Sequence, residues 1–111
     1  MILNWDEIKI EPIEKILGGE GTVFMQTFND GECKIVKVTV PPGAAFGRHT
    51  HSGTCEVVYI IQGKGKVVID DGEEPLSAGS VHYCPNGHNH AVVNDSDENL
   101  VLLGIVPNFN A

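Results

Sequence analysis

Residues 43–63 read GAAFGRHTHSGTCEVVYIIQG. His49 and His51 stand at i and i+2, so on an extended chain both imidazoles project to the same side. A small bridge, Ser52-Gly53-Thr54-Cys55, leads to Glu56, and Gly53 can bend the strand so that parity need not run through it. Two imidazoles and a carboxylate can therefore share one wall. Glu56 to Ile61 is a nearly continuous apolar run, which predicts a strand buried on both sides. Further on, residues 79–94 read GSVHYCPNGHNHAVVN. There Pro85-Asn86-Gly87 is a tight-turn signal that delivers His90 to the start of a strand.

Outward from these two stretches the chain is short strands between turn signals. Thr22 to Phe28 is rich in β-branched and aromatic residues, and Asn29-Asp30-Gly31 marks a hairpin. Lys34 to Val40 alternates, with Val36, Val38 and Val40 on one face. Gly63-Lys64-Gly65 turns into Lys66 to Ile69, and Asp70-Asp71-Gly72 turns again. Ser80 to Cys84, His90 to Val93 and Leu100 to Val106 complete a set of about eight or nine strands, with no amphipathic helix. Such a pattern predicts an all-β sandwich or barrel, which also protects strand edges. The arm, residues 1–21, is apolar and interrupted by Pro12, so it is expected to be extended rather than one helix.

The chain has 111 residues, seven Lys and Arg against fifteen Asp and Glu, and a formal charge of −8. That length fits a single domain over residues 1–111. The acidic balance, without a basic cluster, excludes nucleic acid and anionic membrane surfaces as partners. No apolar run reaches the length of a membrane-spanning helix, and Met1 to Asp6 lacks the pattern of a signal peptide. Three cysteines with no C-x-x-C pair argue against a disulfide framework, and a reducing cytoplasm is the simplest compartment.

His49, His51, Glu56 and His90 form a candidate divalent-metal set. Imidazole suits Zn, Cu, Fe and Ni, and the carboxylate adds preference for harder ions such as Mn and Fe(II). H-x-H taken alone also fits a solvated strand face. The spacings Gly43-x5-His49-x-His51-x4-Glu56-x6-Gly63 and Gly79-x5-Pro85-x-Gly87-x2-His90-x3-Asn94 match both sequence motifs of the cupin superfamily without a departure. Fifteen residues separate Gly63 from Gly79, similar to the short spacer of small microbial cupins. The resemblance implies a double-sheet jelly-roll β-barrel with motif 1 over residues 43–63 and motif 2 over residues 79–94. It implies one bound metal (Mn, Fe, Ni, Zn, Co or Cu) on His49, His51, Glu56 and His90. Asn94 is expected to tie down its turn rather than touch the metal.

On this reading the chain is a metal-dependent enzyme acting on a small oxygen-bearing organic molecule. Its reaction would be that of a dioxygenase, or of a decarboxylase, lyase or isomerase. The alternative is a non-catalytic ligand-binding or sensing cupin, and the third reading is a sugar-phosphate isomerase or epimerase relative. His88 and His82 are the candidate acid–base residues, since imidazole titrates near neutral pH. One pair of His82/Cys84 and Val81/Tyr83 must face the cavity, and parity alone does not decide which. Lys66 is a candidate for reaching a ligand carboxylate or phosphate. The apolar arm, with Trp5, Ile2, Leu3, Ile8 and Ile10, predicts either packing on the barrel or exchange with a partner, hence a homodimer.

Overall fold

A computed structural model describes the whole chain, Met1–Ala111. Ten strands follow one another: β1 (Glu11–Glu14), β2 (Thr22–Asn29), β3 (Cys33–Val40), β4 (His49–Thr50), β5 (Glu56–Gln62), β6 (Lys64–Ile69), β7 (Gly72–Ser77), β8 (Val81–Cys84), β9 (Asn89–Val93) and β10 (Leu100–Pro107). They form a six-stranded sheet in the order β1-β2-β3-β10-β5-β8 and a four-stranded sheet in the order β4-β9-β6-β7. All pairings are antiparallel. This is the all-β double-sheet jelly roll.

The alternation in β3 sets the core. Val36, Val38 and Val40 face inward and meet Val58 and Ile60 of β5, Val67 of β6, Val92 of β9, and Leu100 and Leu102 of β10. Each fully buried aliphatic side chain of this kind contributes about 1.5–3 kcal/mol of burial free energy. Cys84 and Cys55 are buried as small apolar groups, and all three cysteines are free. Asn94 is also fully buried. Its amide donates to Val40 O and Glu98 O at 2.8 Å each, and its Oδ1 accepts from Ser96 N at 2.9 Å. It ties down the turn, as expected.

Three expectations change. β5 is buried on one face only: Val58 and Ile60 point in, while Tyr59 and Ile61 are 44% and 43% exposed. The unbroken apolar run reflects an outward face that is itself apolar, not a second core. β7 (Gly-Glu-Glu-Pro-Leu-Ser) is a strand that the sequence pattern does not announce. It lies at the sheet edge, where Pro75 needs no ladder partner on its outer side and Glu73 and Glu74 face water. His51 lies just beyond the two-residue strand β4, so the H-x-H pair is only half in a ladder.

The arm packs on its own barrel. β1 pairs with β2, and Gln26 Nε2 donates to Trp5 O at 2.6 Å and Ile8 O at 2.8 Å. Ile13 and Ile16 pack against the core. No helix is long and apolar enough to cross a membrane.

Candidate metal centre

β4 pairs with β9 so that His49 lies opposite His90. β5 brings Glu56 across from the other sheet. His51 is held by its backbone, since its N–H donates to His88 O at 3.1 Å and its carbonyl accepts from Gly87 N at 2.7 Å. The Pro85–Gly87 turn thus fixes His51 as well as delivering His90.

The four side chains converge, one donor atom from each lying within 4.8 Å of all the others. His90 Nε2 is 2.9 Å from His51 Nε2, 3.0 Å from His49 Nε2 and 2.9 Å from Glu56 Oε1. His51 Nε2 is 3.1 Å from the same carboxylate oxygen. Glycine at 104 in β10 leaves room for that carboxylate, because a Cβ there would lie 2.9 Å from Glu56 Oε2.

Protons alone do not satisfy this arrangement. His49 Nδ1 donates to Gly47 O at 2.9 Å, so its Nε2 presents a bare lone pair to the cluster. His90 then has one possible proton on Nε2 for three neighbours. With Glu56 ionised, every assignment leaves two lone pairs or two N–H groups facing each other at about 3 Å, whereas a cation suits all four donors. Donors at 2.9–3.1 Å have the spacing of neighbouring corners around an ion with bonds of about 2.1 Å. The residues fit a divalent transition metal.

Electrostatics agree. Burial pushes Glu56 upward, but hydrogen bonds from His51 and His90 outweigh it and hold the carboxyl at about 2, so it is ionised at neutral pH. Burial lowers His49 below its ordinary range, which keeps the ring neutral and available as a ligand. His90 Nδ1 faces His82 Nε2 at 2.9 Å, and both rings are buried. The His82/Cys84 pair is therefore the inward one, with Val81 and Tyr83 exposed. Burial, then the neighbouring His90, lowers His82. Its contact orients a donor ring from behind.

A cavity of about 290 Å³ opens onto the cluster. Val36, Val58, Val92 and Leu102 form its inner wall, and Ile16, Leu17, Met25, Phe46 and Val106 its outer wall. Lys34, exposed and without an ion pair, is its one Lys or Arg.

His88 is turned elsewhere. Its Nδ1 meets Asp70 Oδ2 at 2.8 Å on the surface, and it does not line the cavity. Asp70, at a left-handed φ of 49°, belongs to a distant turn, so local spacing gives no sign of the pairing. His82 also does not line the cavity and touches only the far side of His90. Lys66 pairs with Glu73 at 3.4 Å, and Arg48 is tied to Asn89 and the Asp70 carbonyl. Lys34 is the residue that sequence reasoning overlooked. The alternation through Val36, Val38 and Val40, extended two residues back, would have found it.

Comparison with known proteins agrees with this architecture. The chain is 31% identical over 113 residues to an oxalate-binding protein of Thermotoga maritima, covering 96% of this chain and 93% of the relative. It is 41% identical over 73 residues to oxalate decarboxylase OxdC of Bacillus subtilis, covering 61% of this chain and 19% of that longer protein. The crystal structure of a predicted oxalate decarboxylase from Thermotoga maritima superposes with a TM-score of 0.91 at 27% identity, covering 97% and 99% of the two chains. The cupin domain family model matches residues 36–106, which include all four residues of the cluster, and the chain belongs to the cupin family.

Proposed function

We propose that this chain holds one divalent transition metal through His49, His51, Glu56 and His90 and presents it to a small carboxylate in the cavity. The observation that carries this is the convergence of three imidazole nitrogens and one carboxylate oxygen, with four of their separations at 2.9–3.1 Å and all within 4.8 Å. Such a donor set suits Mn, Fe, Co, Ni, Zn or Cu. A bound ion would supply Lewis acidity toward a ligand oxygen. Gly47 O and His82 hold two of the donor rings in place, Lys34 offers positive charge on the cavity, and the aliphatic walls exclude water. The oxalate named for both relatives supports a carboxylate ligand.

We read the activity as that of an enzyme, a decarboxylase or lyase before a dioxygenase. Lys34 is a proton-bearing cavity group outside the four donors, and loss of carbon dioxide requires protonation of the carbon left behind. A non-catalytic carboxylate-binding protein is the second reading, favoured by walls that are mostly aliphatic and supply contact rather than chemistry. A sugar-phosphate isomerase ranks third, because a phosphate calls for more than one cation.

Elemental analysis of the protein purified without added metal tests the site. About one divalent ion per chain is expected in the parent and none in the His49→Ala/His90→Ala double variant. Full metal content in that variant would refute the assignment. Carbon dioxide release from oxalate and from 2-oxo acids, assayed side by side on the metal-loaded chain, separates enzyme from binding protein.

A homodimer through the outer face of the six-stranded sheet is part of the same proposal. Tyr59, Ile61, Val81 and Tyr83 are 43–65% exposed on adjacent strands β5 and β8, and β8 is one of the sheet's two edge strands. Together they offer on the order of 400 Å² of apolar surface, half of the ~800 Å² per partner of a standard interface. Light scattering that gives a monomeric mass would sink this. The three free cysteines support a reducing, cytoplasmic setting.

A further inference from the structure

Oxalate is a poor fit to the whole of this cavity. It occupies on the order of 100 Å³, three to four waters' worth at about 30 Å³ each. The cavity measures about 290 Å³, and nine of its fourteen lining residues are hydrophobic. A dianion without C–H surface would leave most of that aliphatic wall facing water.

The outer wall is also built at a cost. Lys15 and Leu17 have φ of 48° and 54°, a left-handed conformation that residues with a Cβ rarely adopt. Backbone contacts hold it in place: Gly19 N and Gly47 N both donate to Ile16 O, at 2.9 and 3.0 Å. Residue 47 must be glycine for the approach, because a Cβ there would sit 1.9 Å from Leu17 O. The strained hook sets Ile16 and Leu17 against the cavity, where they add apolar surface at the side opposite in character to the donor cluster.

We infer that the ligand is a monocarboxylate with an adjacent oxygen, a 2-oxo or 2-hydroxy acid, bearing a branched alkyl or aryl substituent. It keeps the oxygen pair that oxalate offers and replaces the second carboxylate with an apolar group. Lys34 is the counter-charge that selects the acid, and the Leu17 hook selects the substituent. This rests on the metal reading above.

Titration calorimetry on the full chain loaded with manganese(II) or zinc(II) tests it, with oxalate, 2-oxo-4-methylpentanoate and the methyl ester of the latter as probes. The branched oxo acid is expected to bind at least tenfold tighter than oxalate. Lys34→Met should weaken the acid about tenfold and leave the ester unchanged, with metal content intact. Leu17→Asn, a residue that tolerates the left-handed region, should weaken the branched acid at least fivefold and spare oxalate, without lowering the thermal midpoint. Equal or tighter binding of oxalate, no binding of the oxo acid, or equal loss of acid and ester in Lys34→Met overturns the inference. A chain that loads no metal sinks the function reading as well, whereas one that loads metal and prefers oxalate sinks this inference alone.

Discussion

The two ends of the barrel interior are built from the same strands and differ in what those strands put inward. Along β3 the inward residues run from Lys34 and Val36 at the cavity to Val38 and Val40 in the packed end. β5 runs from Glu56 and Val58 to Ile60, and β9 from His90 and Val92 toward Asn94. The packed end is closed by side chains at zero or near-zero exposure, among them Val38, Val40, Ile60 and Leu100. The cavity end keeps four donors and an open volume of about 290 Å³. The difference teaches that stability and chemistry are separated along each strand, not between strands.

The largest test of that separation is at the packed end. Ile60→Ala should cost about 3–4 kcal/mol in denaturant unfolding while the folded fraction keeps its metal stoichiometry. Lost metal in folded protein would mean that the two ends act as one unit.

Acid titration of the metal-free chain reads the other end. Glu56 is held at about 2, below its ordinary 4.5, so its contribution is present above 4.5 and lost as pH falls through about 2. His49 is also depressed, from 6.5, so its share is present above 6.5 and fades below that as the unfolded chain takes up protons first. Stability should therefore fall on acidification, by about 3–4 kcal/mol in all. Glu56→Gln should flatten the more acidic part, measurable as unfolding midpoint against pH.

His82→Leu should lower metal affinity ten- to hundredfold, about 1.4–2.7 kcal/mol, in competition with a chelator of known strength. The fold should persist, because the leucine refills the buried space. Gly104→Ala sharpens the comparison at the smallest scale. Its Cβ would press on Glu56 Oε2, and metal affinity should fall about tenfold. The packed end, a residue pair away along β10, should be left intact.

Much of this was legible from sequence, for reasons that particular residues make plain. Alternation in β3 and turn signals at Asn29–Gly31 and Pro85–Gly87 gave the all-β architecture, because side-chain parity and turn chemistry are local. The clustering of His49, His51, Glu56 and His90 was legible because its members are marked by residue type. The rest depends on distant partners. β7 hides behind Pro75 because only its edge position makes that proline harmless. His88 was read as a cavity neighbour because Asp70, its partner across 18 residues, is invisible to spacing. The apolar run of β5 looks two-sided because sequence cannot distinguish a second core from an exposed apolar face.

The contact between His90 and His82 has a consequence in proton bookkeeping. In the metal-free cluster, the tautomer with a proton on His90 Nε2, facing the Glu56 oxygen at 2.9 Å, makes His82 Nε2 the donor to His90 Nδ1. A metal on His90 Nε2 would leave the ring proton on His90 Nδ1, and the hydrogen bond to His82 would then run the other way. His82 then carries its own proton on Nδ1. Occupancy of the centre would thereby be written into the tautomer of a histidine outside the four-residue cluster, to be read in nitrogen-15 chemical shifts.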